Sequence, residues 1–253
     1  MALDVEQVRS RLPGRRIEWR AETDTTMREA EVLADAGAAS GTVVGAELQR
    51  RGLGRQGREW HSPAGEGLYF TQLLRLDLPP QRIPVVTLTL GVAVADVVQL
   101  RTGLECDLRW PNDVLVNGRK VCGILTQLHN TAILAGVGLN VNQSGIPAAL
   151  HGMATSLRLE TGELFSREAL LVALVRSIDS KVRILATGGA VSILTLFSTM
   201  SSYAEGKRVE VELPEGAVRG ITAGLTADGF LRLRVEDGGE KVITAGGVRP
   251  VED

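Results

Sequence analysis

The sequence predicts an α+β fold: a mixed, mostly antiparallel sheet with helices, followed by a small β-barrel. Three observations predict it. Val114–Val116 and Arg119–Leu128 read as strands flanking Asn117-Gly118, the dipeptide that favours a type I′ hairpin. Helical stretches cluster between such strands instead of alternating with them one by one, which argues against repeating βαβ units. After Gly206 only short alternating strands remain: KRVEVEL, AVRGITAGL, GFLRLRVE and EKVITAG. Pro214-Glu215-Gly216, Asp228-Gly229 and Asp237-Gly238-Gly239 separate them. This change of character divides the chain into a domain over 1–204 and a smaller one over 205–253.

Each earlier element has a local reason. Asp4–Leu12 reads as a short helix stopped by Pro13-Gly14. Arg16–Ala21 alternates and reads as a strand. Thr23-Asp24-Thr25 offers hydroxyl and carboxylate caps for a helix over Thr26–Ala36, which Gly37 ends. Capping alone would explain Thr25 and Thr26; a hydroxyl turned to a polar ligand is the functional reading. Thr42–Gln49 is a strand, and Leu68–Leu76 is the next one. Ile83–Arg101 is a long buried helix ending at Gly103, although its β-branched run weakens helical preference. Cys106–Trp110 is a strand that runs into the turn Pro111-Asn112-Asp113. Ile133–Val141 is a strand whose Gly136 and Gly138 permit close approach of a ligand. Two helices follow, over Ser166–Ala186 and Ala190–Tyr203.

Composition narrows the function. A net charge of −2 argues against a general nucleic-acid binder, so basic charge here is local. The N-terminal stretch lacks the apolar core of a signal peptide, and the apolar run Pro84–Ala95 is too short to span a bilayer. Cys106 and Cys122 form no redox or metal spacing, which fits reduced thiols in a cytoplasmic protein. His61, His129 and His151 are scattered and define no metal site.

Between the second and third strands lies QRRGLGRQGREW, Gln49–Trp60, with three glycines and four arginines. Glycine lets backbone N–H groups approach a ligand, arginine matches carboxylate and phosphate oxygens, and Trp60 can cover a flat ring. Its G-x-G-x-x-G spacing is not a dinucleotide fingerprint, because HSPAGEG and a strand follow where that motif needs a helix. A solvated surface loop and a nucleic-acid-binding loop are the remaining bland readings. The preferred reading is a lid that closes over an anionic ligand. It predicts that Arg50–Glu66 orders only over ligand.

Together with this loop, RWPNDVLVNGRKVCGIL and AGVGLNVN make the chain resemble the biotin–protein ligases. In that family a G-R-G-R-x-G-R-x-W loop precedes K-W-P-N-D, a K-x-x-G-x-L strand and a G-x-G-x-N strand. Order and spacing match over nearly the whole chain. The resemblance implies a class II synthetase-like catalytic domain with an SH3-like C-terminal barrel. It implies a reaction in two halves, biotin plus ATP to biotinyl-AMP, then transfer to a lysine of a biotin carboxyl carrier protein. Mg²⁺ would come with the ATP, and no protein metal site is implied.

The resemblance also assigns residues. Thr25, Thr26, Met27 and Gln49 would lie beside the biotin ureido ring, and Leu53, Gly54 and Arg55 would wrap biotin and the adenylate phosphate. Gly123, Gly136 and Gly138 would floor the pocket. Arg58, Trp60, Asn112, Lys120 and Asn140 would serve the nucleotide, with Trp60 near adenine. Arg109 stands at the lysine position before W-P-N-D, and with Arg55 it is the expected catalytic cation, set near the biotin carboxylate. Two departures stand out: Leu53 replaces an arginine, and Arg109 brings a larger, planar cation than lysine.

Family members that also repress transcription carry an N-terminal helix-turn-helix; no such segment precedes the first strand here, so no DNA partner and no membrane partner are expected. A free sheet edge could serve a homodimer or carrier docking. A lipoate or octanoate ligase, or a biotin binder without transfer, are the competing readings.

Overall fold

The computed structural model describes residues 2–213, 216–235 and 238–251. The turns expected at Pro214-Glu215 and at Asp237 lie outside the described residues. Helix α1 (Val5–Arg11) is capped by Asp4, which accepts the Gln7 N–H at 3.0 Å. Strand β1 (Ile17–Thr23) leads to α2 (Thr26–Asp35), capped by Thr25 through the Met27 N–H. Strands β2 (Val43–Gln49) and β3 (Gly67–Leu74) bracket the Arg/Gly loop. Helix α3 (Ile83–Thr102) ends on Gly103 at φ +73°, a left-handed cap that suits glycine.

Strands β4 (Asp107–Arg109), β5 (Asp113–Val116), β6 (Arg119–His129) and β7 (Ala132–Asn140) complete a seven-stranded sheet. Its order is β1-β2-β3-β7-β6-β5-β4; only β1 and β2 pair in parallel. Asn117 and Gly118 turn the β5–β6 hairpin with φ +50° and +74°, as a type I′ turn requires.

The sequence gives no sign of short α4 (Leu157–Thr161). The two later helices are one helical run, α5 (Arg167–Thr199), interrupted at Gly189 where φ is +75°. Helices α3 and α5 pack together on one face of the sheet; α2 covers part of the other. Helix α3 is apolar all round because it is enclosed, with Val85 to Ala95 buried without a break. The helical stretch Pro80–Thr102 is longer than the apolar run suggests, and by length and apolarity it would reach across a bilayer. Here 72% of its most apolar window is buried in the protein.

Strands β8 (Glu205–Leu213), β9 (Gly216–Leu225), β10 (Leu231–Val235), β11 (Glu240–Ile243) and β12 (Gly247–Pro250) form a second antiparallel sheet, ordered β11-β10-β9-β8-β12. Strand β12 was not foreseen, and among the described residues no β11–β12 pairing closes the sheet into the expected barrel. Trp110 fastens this sheet to the first, its buried indole N–H donating to the Gly229 carbonyl at 2.9 Å.

Candidate active site

Antiparallel pairing sets the floor of a cleft on the face opposite α3. Gly138 on β7 is the partner of Gly123 on β6, and Gly123 of Asp113 on β5. One row along, Gly136 pairs with Leu125 and Thr71. Directly paired residues point to the same face, and the two rows lie about 7 Å apart along the strand. The glycines leave room for what rests on them. A Cβ at Gly138 would lie 2.4 Å from the Trp60 indole nitrogen, one at Gly123 2.8 Å from the same ring, and one at Gly136 2.9 Å from Met27 Sδ.

The Gly136 row is polar. Gln49 Oε1 accepts the Thr26 N–H at 2.9 Å and the Thr26 hydroxyl at 3.2 Å. Thr26 and Thr71 hydroxyls meet at 2.9 Å, and Thr25, Thr26 and Thr71 are all buried. The N-terminus of α2 thus presents one hydroxyl, that of Thr26, beyond the one that caps it, and β3 adds that of Thr71.

The Gly138 row is cationic and aromatic. Lys120 Nζ lies 5.2 Å from the centre of the Trp60 ring and 2.5 Å from Asp113 Oδ1. Asp113 Oδ2 accepts from Arg109 Nη2 at 2.7 Å and Nε at 3.3 Å. Burial pushes the Asp113 carboxyl up, but Lys120 and Arg109 more than offset this and hold it below its ordinary value. The Trp60 indole N–H is buried without a partner.

Above the cleft the loop folds back on itself. Gly54 N–H donates to Arg58 O at 2.7 Å, Trp60 N–H to Gly52 O at 2.8 Å, and Leu53 bridges Glu59. Arg55 donates to Asn112 Oδ1 at 3.2 Å and to the Gly246 carbonyl at 3.1 Å, so it joins lid, first sheet and second sheet. Burial lowers the Arg55 pKa and Asp113 opposes that shift; a guanidinium stays charged throughout. Beneath this lid the enclosed free space is about 50 Å³, in a cleft of about 450 Å³ counted out to its open mouth. At ~10–15 Å³ of such space per water this accommodates only a few water molecules.

The cleft brings together Thr25, Thr26, Met27, Gln49, Leu53, Gly54, Arg55, Trp60, Asn112, Lys120, Gly123, Gly136 and Gly138. Three expected residues lie outside its lining. Arg109 pairs with Asp113 across the β4–β5 ladder and points at that carboxylate; the cations that line the cleft are Lys120 and Arg55. Arg58 instead pairs with Glu212 of β8 at 3.0 Å, on the surface. Asn140 is buried and donates to Thr155 O at 2.9 Å; Thr155 N–H in turn donates to Lys120 O. These bonds link Asn140 through Thr155 to the strand segment that carries Lys120.

Phe70, Ile124, Leu125 and Val137 also line the cleft, and Thr71, Ser62 and Asp113 support it. The sequence signal for Asp113 was present in W-P-N-D; the other supporting residues had none. Burial pushes the Cys106 thiol up to about 12 and that of Cys122 higher still, so neither supplies a thiolate nucleophile at neutral pH. Among the described residues no cluster of three or more His, Cys, Asp or Glu could hold a metal ion.

This is the architecture of a site that holds a small polar-headed acid beside a nucleotide. The sequence profile of the Biotin/lipoate A/B protein ligase family matches residues 19–144, and that of the Biotin protein ligase C terminal domain matches 206–248. The chain is 34% identical over 257 residues to the biotin–[acetyl-CoA-carboxylase] ligase of Mycobacterium tuberculosis, covering 97% of this chain and 94% of that one. It is 32% identical to the bifunctional ligase/repressor BirA of Bacillus spizizenii, over 94% of this chain and 75% of that protein. Among solved structures, the Aquifex aeolicus biotin protein ligase in complex with biotin and ATP superposes with a TM-score of 0.82 at 30% identity, over 93% of this chain and 99% of that one. The chain belongs to the biotin–protein ligase family.

Proposed function

We propose that this chain joins biotin to ATP, forming biotinyl-AMP and pyrophosphate, and passes the biotinyl group to a lysine of a biotin carboxyl carrier protein. The observation that carries this reading is the pairing of two rows in one cleft. A buried row of hydroxyls and one amide lies a single strand step from a lysine and an unpartnered indole N–H. A cyclic urea needs donors for its carbonyl and acceptors for its two N–H groups, and Gln49, Thr26 and Thr71 supply both. A dithiolane ring offers no carbonyl or N–H to answer those polar groups, so the row favours biotin over lipoate.

The residues divide the work by chemistry. Lys120 and Arg55 offset the repulsion between a carboxylate and the α-phosphate and stabilise charge that develops as the new P–O bond forms and pyrophosphate leaves. Lys120 takes the place expected of Arg109. The Trp60 N–H and ring face serve the nucleotide side. Mg²⁺ enters with the ATP phosphates. In the second half the acceptor amine attacks the acyl carbon of the mixed anhydride and AMP departs. The lid keeps water from that anhydride in the interval.

We also assign the catalytic unit to 1–204 and the appended β unit to 205–253, and place the protein in the cytoplasm with no DNA or membrane partner. Among the described residues β1 pairs with β2 alone, and its other edge is where a carrier domain or a second copy would add a strand. The test is biotin-dependent pyrophosphate release from ATP with Mg²⁺, with lipoate and octanoate as controls and Lys120→Met alongside. Release with biotin alone, reduced at least a hundredfold in the variant, is the expected result. Release with lipoate in preference to biotin would overturn the assignment.

A further inference from the structure

Ser62 is 5% exposed and lies in the return arm of the lid, two residues beyond Trp60. Its hydroxyl accepts from Gln49 Nε2 at 3.0 Å and donates to the Trp60 carbonyl at 3.1 Å. The far side of Gln49 accepts the Thr26 N–H at 2.9 Å. Both ends of this chain are backbone groups with fixed roles, since an N–H can only donate and a carbonyl can only accept. The single Ser62 proton therefore goes to Trp60 O, and its oxygen must accept from the Gln49 amide nitrogen. That choice sets the amide orientation without reference to any ligand: oxygen toward Thr26, nitrogen toward Ser62.

The chain is also confined. Trp60 N–H bonds Gly52 O, and a Cβ on Gly52 would lie 2.4 Å from Trp60 O, 2.9 Å from Ser62 Oγ and 3.1 Å from Gln49 Nε2. The stem of the lid, the backbone of Trp60 and the amide of Gln49 thus converge on one hydroxyl.

Resting on the biotin reading above, we propose that Ser62 is a positioning residue with two effects. It holds the Gln49 amide with one N–H free for the ureido group, and it couples filling of the polar row to lowering of the lid over Trp60. Biotin that engages Gln49 stiffens the amide, and the amide passes that order to Trp60 through Ser62. Without the hydroxyl the Thr26 N–H still orients the amide oxygen, but the amide nitrogen loses its anchor and the lid its tie to the biotin side.

The experiment compares wild type, Ser62→Ala and Ser62→Thr in pyrophosphate release, with trypsin cleavage at the lid arginines as a second readout and thermal melts as a control for folding. Ser62→Ala is expected to raise the KM for biotin roughly five- to tenfold, the weight of one hydrogen bond. Its kcat at saturating biotin should stay within about threefold, because no reacting atom touches Ser62. Saturating biotin alone should protect the wild-type lid and fail to protect the Ala variant. Ser62→Thr, which keeps the hydroxyl, should restore both properties.

Ala behaving as wild type in KM and protection overturns the proposal. So does Thr failing as badly as Ala, since packing and not the hydroxyl would then be at stake. A wild type indifferent to biotin overturns the biotin reading itself, and this proposal with it.

Discussion

Which cation serves the reaction is decided by comparing Arg109→Met with Lys120→Met. Arg109 sits 20% exposed, pairs with an Asp113 side chain that is 15% exposed, and is absent from the cleft lining. Its removal deletes two hydrogen bonds to one carboxylate oxygen and a side-chain contact with Tyr203, but leaves Asp113 its Lys120 partner at 2.5 Å. Charged hydrogen bonds contribute roughly 1.5–3 kcal/mol each when fully buried. Partial exposure and the surviving partner bring the stability loss down to about 1–2 kcal/mol, a fall in melting temperature of roughly 2–8 °C in a chain of this size.

Activity measured well below that melting temperature should fall less than about tenfold, because Arg109 reaches the substrates only through Asp113. Arg109→Lys, with an ammonium that can still reach Asp113, should fall less. Lys120→Met removes a cation from the cleft itself, where one such group is worth roughly 10²–10³ in kcat. The assay is single-turnover formation of biotinyl-AMP, with melts run on each variant. An Arg109→Met enzyme that is fully stable yet slowed several hundredfold, beside a Lys120→Met enzyme near wild type, would refute the placement of charge argued above.

Three further outcomes follow from the same geometry. Asp113 carries a folded-state pKa below its ordinary 3.8. Its stabilising contribution is therefore complete above that value and lost as pH falls through the lower folded one. Asp113→Asn should be less stable than wild type at pH 7, and the gap between the two in acid melts should narrow below about pH 4; a constant gap would deny the coupling. Gly138→Ala places a Cβ 2.4 Å from the Trp60 indole nitrogen and must push the lid off its floor, so nucleotide affinity should drop at least tenfold with little change in the KM for biotin; equal losses in both would count against separate rows. Trypsin should cut wild type between Arg50 and Arg58 at least tenfold more slowly with biotin and ATP together than without ligand; equal rates would argue against a moving lid.

The legible and illegible parts of this protein divide by the range of the interaction that decides them. Asn117-Gly118 and Gly103 were readable because a positive φ is a one-residue demand, and the break at Gly189 because a glycine pair interrupts the helical pattern. Thr25, Gln49 and the glycines of β6 and β7 were readable as members of motifs whose order matched a family. What those motifs could not show is which way a side chain leaves the sheet.

Arg109 and Lys120 are both cations in one continuous motif, and nothing in their spacing ranks them. Pairing decides between them. Arg109 is the Cα partner of Asp113 and shares its face on an edge strand of three residues, while the register between β5 and β6 shifts after Val114, just where Lys120 enters. That irregularity re-aims one side chain, as a bulge does, and Asp113 then collects both cations at once. The partner segment 153–155, held by Asn140 through Thr155, fixes the Lys120 backbone from its other side. We therefore propose that Asn140, expected to touch nucleotide, braces the Lys120 segment, and that Arg109, expected to carry the chemistry, serves as a counter-charge to Asp113. Both reassignments come from strand register and long-range hydrogen bonds, which a linear pattern of residue types does not encode.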